Sequence, residues 1–229
     1  MLFGSFVQRT EELMEDLAPS IFASPAAFGM AFRDVQPIAV GSRIVVVGTT
    51  GSGKTTFSKR LSAQLEVPHL ELDSLYWGAN WTPVEDKIFY SRVQEVIAQD
   101  RWIIEGDYDL AMTSIWQKAD TIIWLDYPLP LVVSQVVFRT FIRILLRTSL
   151  WGGNKESFRS LLSKRHSILK WVLFSHHQRR HEYPKLLTRP EYQSRLRVRL
   201  TSHVSAKRFL RQFNTKRAQF FLDFFSQFW

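Results

Sequence analysis

"RIVVVGTTGSGKT", residues 43–55, decides the fold of this 229-residue chain. Ile44–Val47 is a β-branched apolar run, the mark of a parallel strand buried on both faces. Gly48-Thr49-Thr50-Gly51-Ser52-Gly53-Lys54-Thr55 then fits G-x-x-x-x-G-K-[ST] at every fixed position. A helical pattern over Thr55–Leu65 follows at once. Gly48, Gly51 and Gly53 let the backbone turn tightly and point several N–H groups at phosphate oxygens. The helix N-terminus adds partial positive charge. Gly48 to Thr56 is therefore the expected nucleotide-binding segment. Lys54 is expected on the β and γ phosphates of ATP, and the Thr55 hydroxyl on Mg²⁺.

Outward from this loop, strand and helix signals alternate. Strands are expected at His69–Leu72, Trp102–Glu105, Thr121–Leu125 and Leu196–Leu200. Helices are expected at Val84–Gln99, Leu110–Lys118, Leu129 to about Arg147, Lys155 to about His181, and Ser205–Phe213. Such alternation implies an α/β fold, a parallel five-stranded sheet covered by helices on both faces. Residues 1–41 read as an N-terminal extension broken by Pro19, Pro25 and Pro37. Residues 42–213 form the expected phosphate-loop domain. Residues 214–229, ending in "QFFLDFFSQFW", form an aromatic tail helix that either docks on the domain or meets a partner or membrane surface.

Charge divides the chain unevenly. The net charge is −7 over residues 1–134 and +16 over residues 135–229, for +9 in all. The second half must meet something anionic: nucleotide phosphates, nucleic acid or acidic lipid. No zinc-finger, helix-turn-helix or RNA-recognition pattern accompanies it. The chain has no cysteine, which excludes disulfides and thiolate metal sites and suits a reducing, cytoplasmic setting. No apolar run reaches the ~18 residues of a membrane span, and the oligomeric state is open.

Three acids close predicted strands: Asp73, Glu105 and Asp126. In an open α/β sheet ligands bind beyond those strand ends. Asp126, closing "TIIWLD", is either a second magnesium support or a capping carboxylate. Asp73, in "LELDSLYW", either takes the proton of an acceptor hydroxyl, binds the acceptor, or caps the segment after it. Glu105 with Gly106 and Asp107, and the rings of Tyr76, Trp77 and Trp81, either wall an acceptor pocket or serve as caps and core. Arg139, Arg143 and Arg147 recur every four residues and share one helix face, suited to phosphate. The His177–His181 pair lies beside Arg179 and Arg180, which oppose a cation.

The phosphate loop, "LDSLYW", "NWTP", "DRWIIEGDY", "ADTIIWLDYP", the arginine-bearing helix and "WGGNKESF" occur in that order. Together they resemble the adenylate-kinase-like P-loop NTPase family, in particular topology modulation proteins and uncharacterised nucleotide kinases. The resemblance spans roughly Arg43 to Phe213. It implies a nucleoside-monophosphate-kinase-like fold with ATP and Mg²⁺ at the loop and a helical lid near residues 143–165. Lys54, Asp73, Arg143 and Arg147 would be its catalytic residues, and Lys155 stands where such proteins usually carry Arg. The implied activity is transfer of the ATP γ-phosphate to a small acceptor such as a nucleotide or nucleoside. The alternative is ATP-dependent, DNA-topology-modulating nucleic-acid binding.

Overall fold

The computed structural model describes residues 40–157 and 168–213. Expectations for residues 1–39, for the lid segment 158–167 and for the tail 214–229 lie outside the described residues.

Five parallel strands form one sheet: β1 (Arg43–Gly48), β2 (His69–Glu71), β3 (Trp102–Glu105), β4 (Thr121–Leu125) and β5 (Leu196–Leu200), in the order β2-β3-β1-β4-β5. The expected α/β class is the one observed. Burial explains the order. Ile44–Val47 of β1, Ile103 and Ile104 of β3, and Ile123 of β4 are fully buried, as central strands covered on both faces require. β5 alternates exposed and part-buried residues, and β2 is part-buried throughout, which suits the two edges.

Helices cover the sheet by burying one stripe each. In chain order these are α1 (Lys54–Leu65), α2 (Leu72–Tyr76), α3 (Asp86–Ile97), α4 (Asp109–Lys118), α5 (Leu129–Leu145), α6 (Ile168–Leu187) and a helix over 203–213. α3 buries Phe89, Val93 and Ile97, and α5 buries Val132, Val136 and Thr140, each at four-residue spacing. α6 differs: its buried stripe is Val172, Ser175, His176, Arg179 and Tyr183, mostly polar. Buried arginine and histidine need partners: His176 meets the Tyr127 carbonyl, and Arg179 meets Asp107 in the site below.

The structure corrects the expected elements in three places. β2 stops at Glu71, and the buried Leu72 starts the short helix α2, so Asp73 sits in a helical first turn rather than at a strand end. α5 ends at Leu145; Arg147 has φ 49°, and Thr148 N–H bonds back to the Arg143 carbonyl at 2.9 Å. The four-residue arginine stripe is thus broken before Arg147. Residues 154–157 are not helical, and the next described helix starts at Ile168 and runs past His181 to Leu187.

One side chain joins two turns that carry pocket tryptophans. The buried Asn154 accepts from Trp81 N–H at 2.8 Å and donates to the carbonyls of Gly78 and Trp151, both at 2.7 Å. The backbones touch there, since a Cβ on Gly152 would lie 2.5 Å from the Gly78 carbonyl carbon. Asn154→Ala leaves buried polar groups unpaired and is expected to cost about 1–3 kcal/mol, read by urea denaturation.

Candidate active site

The phosphate loop joins β1 to α1 with the shape its glycines dictate. Gly48 has φ 149°, and a Cβ there would lie 2.6 Å from the Leu125 carbonyl oxygen. Gly51 has φ 87°, and its missing side chain admits Val136 of α5, 2.2 Å from where a Cβ would stand. Lys54 folds back over the loop, donating to the carbonyls of Gly48 at 2.8 Å and Thr49 at 3.2 Å. Burial first, and then the charge of Arg179, lowers its pKa from 10.5 to about 8, against the pull of Glu105, Asp73 and Asp107. Ser52 Oγ is buried in the loop without a hydrogen-bond partner among the described residues. Thr55 and Thr56 follow in the first turn of α1. A cradle of this shape, with a part-buried ammonium and an orphaned hydroxyl, fits a polyphosphate tail.

Lys54 and Thr50 open onto a cavity of about 680 Å³. Asp73, Tyr76 and Trp77 line one wall, with Trp81 beside them; Gly106, Asp107 and Tyr108 continue it after β3. Arg139 and Arg143 enter from α5, Trp151 and Glu156 from the segment after it, and Arg179 and Tyr183 from α6. The structure therefore brings Lys54, Asp73, Tyr76, Trp77, Gly106 and Arg143 around one space. The rings stack edge to face: Tyr76 and Trp77 centroids are 4.9 Å apart, Trp77 and Trp81 5.7 Å.

Several carboxylates are already engaged. Tyr108 Oη donates to Asp73 Oδ1. Burial, and next the Asp73 charge, push the Tyr108 phenol pKa up, so it stays a donor. Arg143 Nη1 donates to Glu156 Oε1 at 2.7 Å, and Arg139 lies 3.9 Å from the same oxygen. Asp107 Oδ2 accepts from Arg179 Nε and, at 2.5 Å, from Tyr183 Oη. Burial alone would lower the Arg179 pKa, but the Asp107 carboxylate holds it up.

Three expected site residues take other places. Glu105 is not among the cavity-lining residues; it is buried against His69, whose Nε2 is 3.4 Å from Oε1. Arg147 is exposed beyond the end of α5 and also lies off the cavity. Asp126, expected to support magnesium, is buried with both oxygens taken: Oδ1 pairs with Arg180 Nε at 2.9 Å, and Oδ2 accepts from Arg199 Nε at 2.9 Å. Arg199 also stacks on Trp124, 4.6 Å from its ring centroid. That carboxylate braces β4 against β5 and α6.

The sequence reading missed Arg179, Tyr108 and Trp151. Arg179 stands 72 residues from its partner Asp107, and no local spacing announces such a pair.

No protein-family model matches the chain, and no curated protein matches it. Among solved structures it is similar to a shikimate kinase from Acinetobacter baumannii in complex with shikimate, at 16% identity and TM-score 0.47 over 80% of this chain and 94% of that one. It is also similar to a gluconokinase from Sinorhizobium meliloti 1021, at 16% identity and TM-score 0.43 over 82% of this chain and 97% of that one. Likeness at this level does not say what the present chain acts on.

Proposed function

We propose that the chain is a Mg-ATP-dependent phosphotransferase acting on a hydroxyl of a small, ring-bearing acceptor. The observation that carries this reading is the shared cavity: Lys54 of the phosphate loop and the Asp73 carboxylate line one space walled by aromatic rings. The loop from Gly48 to Thr56 would bind the phosphates through backbone amides and Lys54. The Thr55 hydroxyl would hold Mg²⁺, which when bound neutralises charge between the terminal phosphates. Asp126 has no part in this, because both its oxygens are engaged by arginine.

In the proposed reaction, Asp73 accepts the proton of the acceptor hydroxyl as its oxygen attacks the γ-phosphorus. The bond from that phosphorus to the bridging oxygen of the leaving diphosphate breaks. Tyr108 holds Asp73 Oδ1, which would leave Oδ2 for the acceptor. Lys54, with Arg139, Arg143 and Arg179 along the cavity, offsets the charge gathering on the transferred group. Tyr76, Trp77 and Trp81 offer flat apolar surface to the acceptor ring and exclude water from the transfer.

Several arginines of the basic second half are engaged inside the fold. Arg143, Arg179, Arg180 and Arg199 pair with carboxylates, and Arg195 donates to the carbonyls of Trp116, Gln117 and Glu191. A basic stripe free to track a polymer backbone is therefore not needed to account for these residues. No helix among the described residues is long and apolar enough to cross a membrane.

The reading is tested by incubating the protein with Mg-ATP and a panel of nucleotides, nucleosides, sugars and cyclic polyols, with phosphorylated product detected by mass spectrometry. Product from a ring-bearing hydroxyl compound, absent with Lys54→Ala, is the expected result. Hydrolysis of ATP with no phosphorylated acceptor would reduce the protein to an NTPase.

A further inference from the structure

We infer that the outward face of α6 is a docking surface for a membrane rich in anionic lipid. α6 buries Val172, Ser175, His176, Arg179 and Tyr183 along one stripe. At helical spacing the opposite face carries Leu173, Phe174, His177, Arg180, His181 and Lys185, all exposed. No acid stands among them. The one acid of α6, Glu182, lines the cavity instead.

The fold offsets the charge of this face only in part. Arg180 shares the Asp126 carboxylate with Arg199, so two guanidiniums meet one anion. Lys185 donates to His181 Nε2 at 3.1 Å, which keeps that imidazole neutral and leaves the ammonium its charge. At the end of α6 the exposed Arg197 of β5 meets the Leu187 carbonyl rather than an acid. A basic face without carboxylates of its own attracts an anionic surface.

Charge alone would suit any polyanion, and the apolar residues select lipid. Phe174 is 63% exposed and Leu173 50%, between Lys170 and His177. Among the described large apolar side chains only Val204 is more exposed than Phe174. The Phe174 ring lies beside that of Trp171, also exposed, with centroids 6.2 Å apart. A nucleic-acid backbone offers phosphates to the basic groups but nothing apolar to leucine. An anionic membrane offers both: headgroups at its surface and acyl chains about 5–10 Å below. Long basic side chains reach the headgroups while their stems cover apolar surface. None of Leu173, Phe174, His177 and Lys185 lines the cavity, so the inference does not depend on phosphoryl transfer.

The test is co-sedimentation of the full chain, without nucleotide, with vesicles of phosphatidylcholine alone or with about one-third phosphatidylserine added. At about 0.15 M salt the acidic vesicles should bind at least about tenfold more tightly than the neutral ones, and about 0.5 M salt should remove most of that difference. Phe174→Ser should weaken binding about fivefold to tenfold, for the apolar surface it withdraws. Lys185→Gln should weaken it about fivefold, the worth of one basic group near an anionic leaflet. Both side chains are exposed, so both variants should keep the parent's circular dichroism spectrum; if one departs from it, the other decides. No binding to acidic vesicles, or equal affinity for acidic and neutral ones, would overturn the inference. So would binding that the variants leave intact, because the contact would then lie elsewhere on the chain. Sedimentation with duplex DNA but not with acidic vesicles would overturn it too, and make the face a nucleic-acid surface.

Discussion

Replacing Lys54 with Ala will lower phosphoryl transfer by about 10²–10³-fold, the loss seen when one preorganised donor to a developing negative charge is removed. The side chain already sits where the terminal phosphates would come, tied to the carbonyls of Gly48 and Thr49. Exchanging those carbonyls for phosphate oxygens trades dipoles for full charges, so binding of Mg-ATP measured by calorimetry should weaken as well. A pH dependence follows from the same burial. In the nucleotide-free protein the Lys54 pKa falls to about 8, chiefly through burial and then through Arg179. Phosphates favour the ammonium, so the bound pKa is higher than the free one. Below pH 8 the group is charged in advance and affinity is flat. Above it, binding must bring a proton, and affinity falls by up to about tenfold per pH unit, ~1.4 kcal/mol. Lys54→Ala should lose this slope. A parent protein whose Mg-ATP affinity is constant between pH 7 and 10 would show that the lysine does not meet the phosphates.

Asp73→Asn should lower kcat by about 10²–10⁴-fold, the span of general-base catalysis, while Mg-ATP affinity changes little. The amide keeps the shape and the contact with Tyr108 but cannot take a proton from the acceptor. Tyr108→Phe tests the positioning. It removes the hydrogen bond to Asp73 Oδ1, and the expected loss is about tenfold in kcat, the worth of one hydrogen bond. Rates come from the best acceptor found in the product screen. An Asp73→Asn enzyme within threefold of the parent would remove the proton-transfer role, leaving Asp73 as a wall of the pocket.

The engaged arginines give the site its character. Arg143 with Glu156, and Arg179 with Asp107, hold cationic groups at the cavity rim without leaving them unpaired. Each such pair is neutral as a whole but fixes a guanidinium beside the cavity. Arg180 and Arg199 on Asp126 do something different, for they anchor α6 and β5 to the end of β4. The same residue type thus serves binding in one place and architecture in another, according to whether its partner faces the cavity.

Local chemistry made much of the molecule readable in advance. Loop, strand and helix in residues 43–65 each obey rules that act over a few residues: β-branched side chains favour strands, glycine alone tolerates the left-handed turns, and a helix start attracts anions. The strands and most helices follow from periodicity for the same reason. Where the reading failed, burial decided one case and the closing of a helix turn the other. Leu72 began a helix because its side chain found the core, and Arg147 left the helix because the chain closed its last turn on Arg143.

Acids at strand ends could be found by inspection, but not their partners. Asp126 was drawn to two arginines 54 and 73 residues away, Glu105 to His69 across a strand pair, and Asp107 to Arg179 on a distant helix. The sequence by itself determined the glycine turn between β1 and α1, because such a turn needs only its own glycines. Tertiary structure alone decided which carboxylates remain open to a ligand, because a buried charge takes whatever partner the packing of other elements brings within a few ångströms.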